Sequence, residues 1–302
     1  MLARVMATAK PKPGNTRVTG KEQYYTPKPV ALEVLKRVLK TTNSSTNQIF
    51  LEPAAGAGAF VEAAKQLGFT EIIAMDIEPK RPEVVKANFL ERKPKIEHGI
   101  TVTNPPFGRN NALSIPFFNK AAEHCDVIAF IVPRSWRKWS VLNRLNRDFA
   151  LIDDWDLNID YVDENDNAVH GVGNLRTCVQ IWQRIPGYQR NLIQIEDLGL
   201  FEKTTPEKAD IAFTQFGYGC GTFTQSFDRV PNTTKAFLKL THPRTLEALK
   251  AVDFSRFTNH TAYTEAISLK ELNFLLNEYL QLEPLKYSND PQSPHYLGLN
   301  RP

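Results

Sequence analysis

Leu51-Glu52-Pro53-Ala54-Ala55-Gly56-Ala57-Gly58-Ala59-Phe60 is the stretch on which the reading of the fold turns. It follows a short apolar run at residues 48–51 and opens an Ala-rich run at residues 59–67, so it reads as strand, glycine turn, helix. Gly56 and Gly58 permit a sharp turn and let a ligand approach the backbone with no Cβ in the way. Outward from this unit, strands and helices alternate. Residues 29–39 carry apolar side chains at helical spacing. Strands are predicted at 71–77, 100–103, 126–132, 151–157 and 177–185, with helices at 112–124 and 136–147. Asp126 to Val132 is continuously apolar, as a strand covered on both faces must be. This alternation predicts an α/β fold with a mostly parallel sheet and helices on both faces.

Composition shifts near Pro186-Gly187. Beyond it, residues 210–227 read as strands with tight turns. Helices are predicted at 234–252 and 268–280, the second starting on the capping-box pattern Ser268-Leu269-Lys270-Glu271. The expected organisation is a flexible basic arm at 1–20, a cofactor-binding domain at 21–186, and a small α+β lobe at 187–302 for target recognition or an accessory role. The tail from Lys286 is polar and expected to be loosely held.

The 302 residues hold 37 basic and 33 acidic side chains, 42% hydrophobic residues and a net charge of +4. A core is affordable, and a polyanionic partner is permitted without being demanded. Cys125, Cys178 and Cys220 are far apart and form no CxxC pair, which argues against a disulfide framework or a zinc cluster and for a reducing, cytoplasmic setting. No apolar run is long enough to span a membrane. Met1 to Lys21 carries five basic and no acidic residues. That pattern suits a phosphate-touching arm or, less often, an organelle transit segment.

Two carboxylates define the ligand expected at the glycine turn. Glu52 ends the first strand, where it can neutralise a cationic group such as the ammonium of a methionine moiety. Asp76 ends the second strand, where it can accept hydrogen bonds from both ribose hydroxyls. The third glycine of a dinucleotide fingerprint is replaced by Val61, and the turn has no basic residue for a pyrophosphate. A nucleoside without phosphates is indicated, and S-adenosylmethionine fits.

The strand at 100–103 runs into Asn104-Pro105-Pro106-Phe107-Gly108. Two consecutive prolines remove two backbone donors and hold the chain extended, which fixes the direction of the Pro105 carbonyl. With the Asn104 amide oxygen beside it, two acceptors converge, and Phe107 offers an apolar face for a planar ring. An amino group attached to such a ring is a poor nucleophile because its lone pair is delocalised. Two acceptors on its hydrogens make the nitrogen more tetrahedral and more reactive.

These residues resemble the amino-group DNA methyltransferases of the N6-adenine type. Asn104 to Phe107 matches that family's catalytic tetrapeptide, and Glu52 to Gly58, including Pro53, its glycine-rich motif. Asp76-Ile77-Glu78 matches the ribose-binding element, and Tyr24-Tyr25-Thr26-Pro27 the segment that contacts the cofactor carboxylate. Asn88-Phe89-Leu90 stands where the family has Asp-Phe-Leu against the cofactor adenine, so one charge is missing. Val132-Pro133-Arg134-Ser135-Trp136 and Gln180-Ile181-Trp182 resemble later motifs of phage- and giant-virus-like members. The resemblance covers residues 21–185. It implies a Rossmann-like methyltransferase with a seven-stranded sheet, S-adenosylmethionine as cofactor, adenine in DNA as substrate, and a base turned out of its stack.

On the substrate side, Arg134, Trp136, Arg137 and Lys138, with Trp139, Arg144 and Arg147, form a basic aromatic cluster that can contact phosphates and bases. The acidic stretch at 153–166 reads as a solvated loop, and His170 as a loop histidine. RNA adenine remains open as the substrate. A protein glutamine amide and a binding subunit without activity remain open further down. Oligomeric state and target sequence are not legible.

Overall fold

The computed structural model describes residues 25–163, 167 and 175–280. The basic arm, His170 and the C-terminal tail lie outside them. Helix α1 (Lys28–Thr42) opens on prolines, which suit a first helical turn. It buries Ala31, Val34, Leu35 and Val38 and ends on Asn43 in the left-handed conformation. Strand β1 (Phe50–Glu52), helix α2 (Ala59–Leu67) and strand β2 (Ile72–Asp76) follow, and α2 stops at left-handed Gly68.

β3 (Val85–Lys86) is a two-residue strand that the sequence reading lacks. β4 (Gly99–Thr103), helix α3 (Ser114–Ala121) and β5 (Cys125–Pro133) stand where strand, helix and strand are expected. The predicted helix at 136–147 does not form as one piece. It is a 3-10 turn at Arg134–Arg137, an extended Lys138, and the four-residue helix α4 (Trp139–Leu142). β6 (Phe149–Leu157) and β7 (Thr177–Arg184) complete the sheet.

The seven strands lie in the order β3-β2-β1-β4-β5-β7-β6. β3, β2, β1, β4 and β5 pair in parallel, and β7 pairs antiparallel with both β5 and β6. The chain thus has the Rossmann-like α/β architecture the sequence predicts. Parallel order brings the ends of β1, β2, β4 and β5, hence Glu52, Asp76, Asn104 and Pro133, to one rim.

A second sheet, β10-β9-β11-β8, is built from β8 (Phe201–Lys203), β9 (Ile211–Phe216), β10 (Phe223–Thr224) and β11 (Thr234–Leu240). Here the predicted helix at 234–252 is corrected. Its first half is β11, in which Ala236 and Leu238 are buried at strand spacing, and only its end is helix α5 (Thr245–Ala251). Pro243 lies between them and disfavours helix at His242. Helices α6 (Ser255–Thr258) and α7 (Leu269–Leu280) follow. The capping box of α7 is formed: the Ser268 N–H donates to the Glu271 carboxylate (2.7 Å) and the Glu271 N–H to the Ser268 hydroxyl (3.2 Å).

One apolar core runs through both sheets, from Leu51, Phe118 and Phe130 to Phe213, Leu238, Phe274 and Leu276. α1 and α2 cover a separate core on the other face of the large sheet. No helix among the described residues is long and apolar enough to cross a membrane.

Candidate active site

Glu52 ends β1 at 1% exposure. Its carboxylate accepts from the Thr103 hydroxyl at 2.5 Å and the Ala54 N–H at 3.0 Å. Burial raises its pKa to about 8; these two hydrogen bonds pull the other way but do not cancel the desolvation. A carboxyl group held this way is largely neutral at pH 7 and ionises when a cation is placed beside it.

Asp76, ending β2, accepts from the Gly56 N–H (2.8 Å) and the Glu78 N–H (2.7 Å). It therefore braces the glycine turn, and an ionised carboxylate has lone pairs left for a ligand. The turn itself requires its glycines. Gly56 and Gly58 have φ of +47° and +84°. A Cβ on Gly56 would lie 2.5 Å from the Tyr25 ring, and one on Gly58 would lie 2.4 Å from Cδ of Arg81. Arg81 in turn is paired with Glu62 on α2.

Tyr25 is held by two backbone hydrogen bonds to Val162 (3.2 and 3.1 Å). Next to it, Thr26 is buried and its hydroxyl has no hydrogen-bond partner among the described residues. Pro53 is buried behind the turn. Ile77 is the reverse, an isoleucine 70% exposed beside Asp76. Asn88 caps a 3-10 turn, accepting from the Leu90 N–H (3.2 Å) and donating to Glu91 (2.8 Å). Phe89 is buried, 5.4 Å from Phe117 between ring centroids. The Phe89 ring thus belongs to the core, and its backbone is the part left at the turn.

Asn104 follows directly on Thr103, whose hydroxyl holds Glu52, so the carboxyl group and the tetrapeptide are joined by one hydrogen bond. The Phe107 carbonyl accepts from the Leu113 N–H (3.2 Å) and the Ser114 N–H (3.4 Å), closing the loop onto α3. Gly108 at φ +67° makes the turn; a Cβ there would lie 2.9 Å from the Leu113 side chain. Asn110 and Asn111 also adopt positive φ, which asparagine tolerates better than most residues. Phe107 is 6% exposed. Its expected open ring face is absent from this conformation, and stacking on it requires the ring to turn outward. Arg109, exposed on the same loop, makes none of the ion pairs found among the described residues, and the sequence reading passed over it.

The basic cluster is corrected as a substrate surface. Trp136 is fully buried; its indole N–H donates to the Ser114 hydroxyl (3.1 Å), and its ring lies 5.9 Å from both Phe118 and Phe130. Trp139 packs on Phe257 and Phe274. Arg137 is paired with Asp154 and Asp156, Arg134 with Asp156, and Lys138 with buried Glu271. The acidic stretch is thus strand β6 through Leu157, carrying the partners of Arg134 and Arg137, and not a solvated loop there. Sequence spacing gives no sign of these pairings, because the folded chain brings β6 and α7 to the cations: Arg137 and Asp154 are 17 positions apart and Lys138 and Glu271 are 133 apart.

Comparison with known proteins gives partial matches. No family model matches the sequence. The type II methyltransferases M.HincII and M.HindII of Haemophilus influenzae are each 28% identical over 95 residues, covering 30% of this chain and 18% of theirs. The chain thus matches less than a fifth of the length of these curated relatives. Among solved structures, TrmN from Thermus thermophilus gives a TM-score of 0.39 at 18% identity, covering 53% of this chain and 49% of that one. The 23S rRNA methyltransferase ErmE gives 0.37 at 13%, covering 55% and 71%. Over that segment the chain is similar to the two Haemophilus type II methyltransferases.

Proposed function

We propose that this chain transfers a methyl group from S-adenosylmethionine to the N6 amino group of adenine in nucleic acid, DNA foremost. The observation that carries this reading is the hydrogen bond from Thr103 to Glu52. It fixes the acceptor loop, Asn104 to Phe107, beside a buried carboxyl group at the glycine turn. The donor set fits the cofactor. Glu52 would hold the cationic amino acid end, and the Thr26 hydroxyl, without a partner among the described residues, would suit its carboxylate. Asp76 would accept from the ribose, the glycines would leave room for the nucleoside, and Ile77, exposed beside Asp76, would offer an apolar surface for its base. Tyr25, Asn88 and the backbone of Phe89 frame the same cradle.

When bound, the cofactor supplies an electrophilic sulfonium methyl. This chain's residues do the rest. Asn104 and the Pro105 carbonyl accept the two amino hydrogens, and Pro106 keeps the loop rigid. Held by these two acceptors, the amino nitrogen would present its lone pair for methylation and would release one proton to solvent afterwards. The division into a cofactor half at 21–186 and a recognition lobe at 187–302 belongs to the same proposal, with Arg109, exposed on the acceptor loop, in place of the paired cations as the charge for a phosphate.

The test is methyl transfer from labelled cofactor to duplex DNA, RNA and a glutamine-bearing protein, comparing wild type with Asn104→Ala. Transfer to adenine that falls by about a hundred- to a thousandfold in the variant, with cofactor affinity kept within about twofold, is expected. Activity that survives the change refutes the mechanism. Transfer to RNA alone would move the substrate but keep the chemistry.

A further inference from the structure

β9 and β10 are joined by Gly217-Tyr218-Gly219-Cys220-Gly221, whose three glycines have φ of +89°, +73° and +85°. The turn is tightly tied. Cys220 N–H donates to the Gly217 carbonyl (3.0 Å), Gly221 N–H to Thr214 (2.9 Å), and the Thr222 N–H and hydroxyl to Gly219 (3.0 and 2.7 Å). A Cβ on Gly217 would lie 2.1 Å from the Asn232 carbonyl oxygen, and one on Gly221 2.8 Å from Phe254. A backbone this constrained nevertheless holds out one tyrosine, Tyr218, at 91% exposure. Phe216 beside it is exposed, as are Arg229 and Val230 on the loop that abuts Gly217. Arg229 makes none of the ion pairs found among the described residues. The nearby acids are engaged: Asp228 accepts from the Ser226 hydroxyl, and Glu265 pairs with Arg176.

Backbone hydrogen bonds connect this turn to the rim that carries Asn104. Gly217 N–H donates to Glu265 (3.1 Å), Arg176 N–H to Ala262 (2.7 Å), and Arg134 N–H to Arg176 (3.0 Å). Arg134 follows Pro133, the end of β5, and β5 pairs with β4, which ends at Asn104.

We infer that Tyr218 is a base-stacking residue, laying its ring on a nucleobase of the substrate strand near the one that enters the Asn104 loop. This rests on the nucleic-acid reading above. A ring on a pre-ordered turn binds a flat π-face with little further entropy to lose, and an adjacent free cation suits the phosphate that accompanies a base.

The test measures affinity of the full chain for a duplex DNA and a single-stranded RNA, each carrying fluorescent 2-aminopurine beside an adenine. Tyr218→Ala weakens binding by roughly 5- to 100-fold and restores 2-aminopurine fluorescence, whereas Tyr218→Trp binds as wild type. The salt slope, cofactor affinity and melting temperature stay unchanged, because the side chain is outside the core. The nucleic acid on which the loss appears names the substrate strand. Equal affinity of wild type and Tyr218→Ala, with wild type still methylating, overturns the inference and leaves the proposed function intact. A loss that Tyr218→Trp does not restore also overturns it, since a merely structural tyrosine behaves that way. Wild type that binds neither nucleic acid overturns both.

Discussion

Raising the pH from 6 to 7 tightens cofactor binding by about ninefold. The ligand-free Glu52 carboxyl group has a pKa near 8 because burial disfavours its charge. It is ionised in about 1 molecule in 100 at pH 6 and about 1 in 10 at pH 7. A cationic amino acid end needs the ionised form, so the apparent affinity follows that fraction while the ligand's own ammonium, of ordinary pKa near 8, stays charged. Binding below pH 7 therefore releases close to one proton. Titration calorimetry in two buffers of different ionisation enthalpy measures both the slope and the proton count. Glu52→Gln flattens the slope and abolishes the proton release. The same group acts on stability in the opposite sense. Its folded pKa lies above the ordinary 4.5, so its contribution is fully present below pH 4.5 and is lost as pH rises towards 8. That is a loss of at most about 4 kcal/mol between pH 5 and 8 in the ligand-free protein. A wild-type affinity independent of pH between 6 and 7, or a slope that persists in Glu52→Gln, refutes the reasoning.

Lys138→Ala leaves Glu271, at 3% exposure, without its cation. It is expected to cost about 3 kcal/mol, read as a lowered denaturation midpoint, while the salt slope of nucleic-acid binding stays at the wild-type value. Gly108→Ala places a Cβ 2.9 Å from Leu113 at φ +67°, deforming the acceptor loop. Turnover is expected to fall at least about tenfold with cofactor affinity unchanged, because the loop lies outside the glycine turn; kcat and calorimetric affinity check it.

Much of the cofactor half was legible because its signals are local. Residues 59–67 announce a helix by composition and by the glycines on either side, and the strand ends at Glu52, Asp76 and Asn104 are marked by a switch from apolar to polar residues. The misreadings have two causes. Trp136, Arg134, Arg137 and Lys138 look like an interface along the chain, but their partners Ser114, Asp154, Asp156 and Glu271 come from other elements. The helix expected at 234–252 overrode a period-two pattern in Lys235 to Leu240, since long polar side chains suit either state. The exposure of Arg109 could have been suspected from its place in the turn after the tetrapeptide. The exposure of Tyr218 could not, because nothing in GYGCG says whether the turn faces solvent.

The apolar core that runs from Phe118 and Phe130 through Trp139 to Phe257 and Phe274 has a bearing on how such a chain can change its target. A second sheet that shares its interior with the first is not an interchangeable head. Replacing it wholesale cuts through packed rings and strands the Lys138–Glu271 pair, so a hybrid assembled at that seam inherits a wound rather than a new preference. Preference can shift cheaply only at the perimeter, where turns such as 217–221 vary without disturbing what lies beneath. Divergence among chains built this way is therefore expected to concentrate in short loops over a conserved interior.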